Sequence, residues 1–303
     1  MKIAYLILVH RDPLQIKRLT NRLLKTGDCF IHLDKKSDCK SFLNQFGKEE
    51  RVDIISKYRV SWAGWTMVQA YLELLEKALK SEKKYDRFVF MTGQDYPLMT
   101  DGQICNEFQA NLITEYVMAY KISTSTIATD KNKILKRWYF DVPFKNRFLR
   151  RVYLSVMYRF ITKPFTKKEL LVKLDGKKVE PYFGQMLSAY TREGASLILN
   201  TYHNDKVFNR QMKRVHAAVE IYWQTIIFNS KLRKNTIQHG EEHEITEHFG
   251  WAPLHYHSYD EDTAIYTEKD FEELKNSGYM FCRKVIPGIS DTLMDKIDEM
   301  RKE

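Results

Sequence analysis

Arg87-Phe88-Val89-Phe90-Met91-Thr92-Gly93-Gln94-Asp95-Tyr96-Pro97 begins as a near-continuous apolar run, Arg87 to Met91, and turns at Thr92 into small and polar residues. A strand without apolar/polar alternation is one covered on both faces, the normal state of strands in parallel sheets packed between helices. The segment before it, Thr66 to Lys80, repeats apolar residues at helical spacing. Further upstream the same rhythm recurs: a strand at Lys2 to Val9, a helix at Pro13 to Lys25, and strands at Cys29 to Leu33 and Val52 to Ile55. Strand and helix in alternation define an α/β fold with a mostly parallel central sheet, and in such sheets ligands bind beyond the strand C-termini.

Composition sets the outer limits. The chain has 303 residues, 44% hydrophobic and 29% charged, values of an ordinary globular protein able to bury a core without disulfides. Lys and Arg number 49 against 39 Asp and Glu, a formal charge of +10 that favours anionic partners without choosing among them. Cys29, Cys39, Cys105 and Cys282 are scattered without CxxC spacing, so a reducing compartment is expected and neither a zinc site nor a disulfide framework is. Ile3 to Val9 is too short for a signal peptide's apolar core, and no stretch approaches the roughly 20 residues of a spanning helix. The expectation is a cytoplasmic protein, its membrane contact peripheral at most.

No repeat, low-complexity tract or clear linker interrupts the chain, so residues 1–303 read as one domain. Residues 144–178 stand apart as a basic and aromatic helical excursion, with Lys145, Arg147, Arg150, Arg151, Arg159, Lys163, Lys167 and Lys168 among Phe148, Val152, Tyr153, Val156, Met157 and Phe160. That mixture fits a solvated surface helix, and it also fits a patch for anionic lipid or an acidic acceptor.

Polar groups gather just past the buried runs. Asp34-Lys35-Lys36-Ser37 follows the second strand, where Asp34 is placed to accept hydrogen bonds from a nucleoside. Then come Ser61-Trp62-Ala63-Gly64-Trp65, Thr92-Gly93-Gln94-Asp95-Tyr96-Pro97-Leu98, Tyr182-Phe183-Gly184-Gln185, Glu220-Ile221-Tyr222-Trp223-Gln224-Thr225 and Met280-Phe281-Cys282-Arg283-Lys284.

In order and spacing these blocks resemble the core-2/I-branching β-1,6-N-acetylglucosaminyltransferases, relatives of the peptide O-xylosyltransferases, from the first strand through Lys284. The resemblance implies a GT-A type fold with a Rossmann-like sheet, inversion at the anomeric carbon, and no Asp-x-Asp metal motif or required divalent metal. It implies a UDP-sugar donor, UDP-GlcNAc first and UDP-xylose, UDP-glucose or UDP-galactose as alternatives, and a glycan or lipid-linked glycan acceptor. By the same resemblance Val9, His10, Arg11, Asp34, Lys36, Trp62 and Gly64 lie on the donor side, and Gln94, Asp95, Tyr96 and Gln185 belong to the active-site cleft. Glu220 falls at the catalytic glutamate and Arg283 with Lys284 at the pair that grips the diphosphate. Ala63 stands where the family usually has a second glycine, and Met186 where a tryptophan is common.

The chemistry suits these residue types. An acceptor hydroxyl is a poor nucleophile at neutral pH, and a positioned carboxylate such as Glu220 lowers the barrier by taking its proton. Ile221, Tyr222 and Trp223 are expected to desolvate that carboxylate partly. The departing diphosphate gathers charge, which Arg283 and Lys284 can offset in place of a metal. Two features point the other way: Asp260-Glu261-Asp262 is a literal Asp-x-Asp, and His239, His243, His248, His255 and His257 crowd one region. The first lies too late in the chain for a GT-A metal motif and reads as a solvated loop, and the histidines have no ligand spacing. A nucleic-acid-binding protein would use the same charge and aromatics, but no DNA- or RNA-binding motif accompanies them.

Overall fold

The computed structural model describes residues 1–46, 49–142, 144, 146–242, 252–257 and 265–302. Its first third is strand β1 (Ile3–Val9), helix α1 (Pro13–Leu23), β2 (Gly27–Leu33), α2 (Cys39–Phe46), β3 (Val52–Ile55), α3 (Trp65–Lys80), β4 (Arg87–Thr92) and β5 (Asp95–Pro97). Four of these form a parallel sheet in the order β4-β1-β2-β3, with Ala189–Thr191 added antiparallel at the β4 edge.

Every residue of β1 is buried, which is why its sequence does not alternate. Its side chains still alternate in space. Ala4, Leu6 and Leu8 pack with α3 and the later helices, whereas Ile3, Tyr5, Ile7 and Val9 pack with α1 and the C-terminal helix Asp291–Met300. The sheet thus separates two apolar cores, as a strand period of two requires when both faces are covered. Val9 pairs in register with Leu33 and Leu8 with Thr92, so the C-terminal ends of β1, β2 and β4 open on one edge.

A second, three-stranded sheet is built on β5. Phe281–Arg283 runs antiparallel to β5 and parallel to His255–His257, setting Arg283 beside both Asp95 and His257. Two distant parts of the chain therefore meet at the end of β4.

The basic segment is helical only in its first half. Arg147–Met157 is an α-helix that runs into a π turn, Tyr158–Thr162. Residues Val172–Leu174 and Lys177–Val179 pair instead as a hairpin, because Asp175 and Gly176, both with positive φ, supply the tight turn such a hairpin demands. Among the described residues no helix is long and apolar enough to cross a membrane.

Candidate active site

The strand ends, the turn before α3, residues 185–187 and 216–220, and the second sheet enclose a cavity of about 610 Å³. Val9, His10, Arg11, Asp34, Lys36, Trp62, Gln94, Gln185, Glu220, Arg283 and Lys284 all line it. Gly64, Asp95 and Tyr96 do not.

At one end Asp34 is buried and held on several sides. Its N–H donates to Val9 O at 2.8 Å, and its Oδ1 accepts from the N–H groups of Lys36 at 3.0 Å and Val60 at 3.3 Å. Lys36 Nζ lies 3.1 Å from Asp34 Oδ2 and donates to Val60 O at 2.6 Å. The pair is locked as a unit, with Ser37 Oγ tying down His10 O at 2.7 Å. Burial, reinforced by the charge of Arg11, lowers the pKa of His10 and favours its neutral ring.

The next wall is the turn Trp62-Ala63-Gly64. Ala63 adopts φ 58° and Ala217, across the cleft, φ 52°, and Ala217 N–H donates to Ala63 O at 3.2 Å. Ala63 thus takes a backbone conformation that glycine adopts most readily. Trp62 stays 72% exposed and meets His216 edge-on at 6.0 Å. Gly64 serves a structural purpose: Asp141 accepts from Trp65 N–H at 2.9 Å and from the hydroxyl of Thr66 at 2.6 Å, closing the N-terminus of α3. A Cβ on Gly64 would stand 2.4 Å from Asp141 Oδ1.

The basic pair enters from the second sheet. Arg283 Nη1 donates to Asp95 Oδ1 at 2.9 Å and also to Thr92 Oγ1. Asp95 is fully buried, accepts the Thr92 N–H at 2.7 Å on Oδ2, and has His255 Nε2 3.3 Å from that oxygen. Burial would raise its pKa, but His255, Arg283 and the Thr92 N–H outweigh burial and hold it below the usual carboxylate range. Asp95 is therefore an ionised anchor behind Arg283. Tyr96 faces the opposite side, bonded to Asp298 at 2.8 Å and Arg18 at 2.9 Å. Neither lines the cavity as expected: Arg283 and His255 cover Asp95, and strand alternation turns Tyr96 to the opposite face.

Glu220 ends a 3-10 turn, Ala218–Glu220, on the far wall. Its carbonyl accepts from Gly184 N–H at 2.9 Å, and Gln224 Nε2 donates to Gln185 O at 2.8 Å, joining the two wall segments. Ile221, Tyr222 and Trp223 are fully buried and fasten the turn to the core. Behind it, Tyr120 is pushed far above the ordinary phenol range by burial first, then by Asp130, with Glu220 adding to the effect.

Sequence reasoning missed several cavity residues. His216, wedged against Trp138 and Phe140 at 5.0 Å from each ring, has its pKa lowered to about 4 by burial and by Lys133, so the ring is neutral at neutral pH. Arg150 reaches the cavity from the basic helix, and His32 and His257 also line it. No local pattern marks His216, and Arg150 was one cation among many. Among the described residues no group of three His, Cys, Asp or Glu is placed to hold a metal ion. His243, His248 and Asp260-Glu261-Asp262 lie outside the described residues.

A mostly parallel α/β sheet with a polar cleft at its strand ends, with Glu220 and the Arg283-Lys284 pair in the walls of one cavity, defines an open α/β fold of the ligand-binding class. The profile of the Core-2/I-Branching enzyme family matches residues 3–275, and the chain belongs to that family. A human protein named probable beta-1,3-galactosyl-O-glycosyl-glycoprotein beta-1,6-N-acetylglucosaminyltransferase 7 is 23% identical over 74% of this chain and 49% of its own length. Proteins named beta-1,3-galactosyl-O-glycosyl-glycoprotein beta-1,6-N-acetylglucosaminyltransferase 4 are 29% identical in mouse, over 36% of this chain and 25% of theirs, and 30% identical in Danio rerio, over 35% and 26%. The chain spans about half the length of the human relative, and less of the others.

Proposed function

We propose that the chain is an inverting glycosyltransferase that moves N-acetylglucosamine from UDP-N-acetylglucosamine to a hydroxyl of a glycan, in cell-surface polysaccharide assembly and without a divalent metal. The observation that carries this reading is that Glu220, Arg283 with Lys284, and Asp34 with Lys36 line a single cavity. Asp34 and Lys36 hold the nucleoside, and Arg283 and Lys284 meet the diphosphate. Glu220 takes the acceptor proton as the acceptor oxygen bonds to the anomeric carbon. The bond from that carbon to UDP breaks on the opposite face, so the centre inverts, and UDP leaves with its added charge balanced by the basic pair. The choice of N-acetylglucosamine leans on the names of the relatives.

The test is UDP release across a panel of UDP-GlcNAc, UDP-xylose, UDP-glucose and UDP-galactose with β-galactoside acceptors. Fastest release with UDP-GlcNAc is expected. A faster alternative donor would replace the sugar in this reading, and failure to bind UDP at all would remove the reading itself.

A further inference from the structure

We propose that the helix Arg147–Met157 is an interfacial anchor that seats the protein on an anionic lipid bilayer. Phe148, Val152 and Val156, spaced four apart, form one row along this helix, flanked by Leu149 and followed by Phe160. All five are exposed, Phe148 by 71% and Phe160 by 68%, and no side chain of the helix is fully buried. A row of large apolar groups left in water on a well-formed helix marks a binding face. Asn146 caps the helix, its Oδ1 accepting from Phe148 and Leu149 N–H at 2.8 and 3.2 Å.

Charge selects the occupant. No Asp or Glu occurs between Asp141 and Glu169. Exposed Arg147, Arg151 and Arg159 flank the apolar row and form no ion pair among the described residues. A second copy of the chain, paired face to face, would bring these arginines against one another. An anionic bilayer satisfies both features at once, burying the phenylalanine and valine side chains at the acyl boundary and placing the guanidinium groups among phosphates. The opposite side of the same helix carries Arg150 into the cavity wall. The anchor helix therefore also contributes a residue to the cleft. Resting on the glycosyltransferase reading above, docking places the cavity one helix thickness from the bilayer, near a lipid-linked acceptor.

Sedimentation with phosphatidylcholine vesicles, with and without phosphatidylglycerol, tests the docking without donor or acceptor, so its outcome is independent of the catalytic reading. The wild-type chain is expected to pellet only with the anionic vesicles at low salt. Arg147→Ser with Arg151→Ser should lower the partition coefficient roughly thirtyfold, and Phe148→Ser with Val152→Ser should abolish pelleting. Thermal unfolding of both double variants should match the wild type, because the altered side chains are exposed. Wild-type protein left in the supernatant with anionic vesicles, or variants that pellet as the wild type does, would overturn the proposal. So would a vesicle-free dimer that the Phe148/Val152 variant converts to monomer, which would assign the face to a second copy.

Discussion

Asp95 Oδ1 and Arg283 Nη1 stand 2.9 Å apart although 188 positions separate them in sequence. The carboxylate is fully buried and the guanidinium reaches from it into the cavity, so Asp95 sets where the charge of Arg283 is presented. Replacing one member of such a pair leaves the other uncompensated, at a typical cost of about 3–5 kcal/mol. Asp95→Asn is expected to destabilise the fold by an amount of that order and to weaken UDP binding. Its folded pKa lies below the ordinary 3.8, so its contribution to stability is present above that value and fades as pH falls below it. Urea unfolding at several acidic pH values should show that slope in the wild type and a shallower one in Asp95→Asn. Equal slopes would count against the ionised anchor.

Glu220→Gln keeps the shape of the side chain and loses the base. Turnover is expected to fall by about 10²–10⁴-fold, with UDP affinity nearly unchanged. Rate and calorimetry together separate a catalytic glutamate from a structural one, which would damage both. Near wild-type turnover would remove Glu220 from the mechanism.

Lys284→Ala should weaken UDP binding by about 1–3 kcal/mol, the scale of a lost charge-assisted contact. Turnover should be the same with EDTA as with added Mn²⁺. Strict dependence on a divalent ion would refute the proposal that fixed cations replace the metal.

Gly64→Ala places a methyl against Asp141 and should cost stability through the same cap that Asp141→Ala removes, about 0.5–2 kcal/mol for the latter. The double variant should be less destabilised than the sum of the singles, since both act on one contact. Additive losses in thermal unfolding would show that Gly64 acts elsewhere.

His216 supplies a second pH signature. Its pKa falls from 6.5 to about 4 on folding, so the unfolded chain binds the proton more readily between those values. Stability contributed by the neutral ring is present above pH 6.5 and is lost as pH drops toward 4. His216→Phe should flatten stability across that window, read by chemical denaturation at pH 7, 6 and 5, and an unchanged profile would exclude His216 as its source.

Much of this protein was legible in one dimension. The runs at Ile3 to Val9, Cys29 to Leu33 and Arg87 to Met91 and the helical spacing of Thr66 to Lys80 identified a parallel α/β sheet because burial on two faces and a 3.6-residue repeat are local properties of sequence. The ordered blocks ending in Arg283-Lys284 pointed to the family for the same reason: each is a short stretch at the end of one element. Tertiary structure decided the rest. Only the pairing of Phe281–Arg283 with β5 turned Asp95 into the support of Arg283, and only the approach of residue 141 to α3 explained Gly64. The fold likewise turned Arg150 inward while leaving Phe148 outward on the same helix. Such relations depend on which surfaces pack together, and packing joins residues far apart in the chain through shape and charge that no local period records.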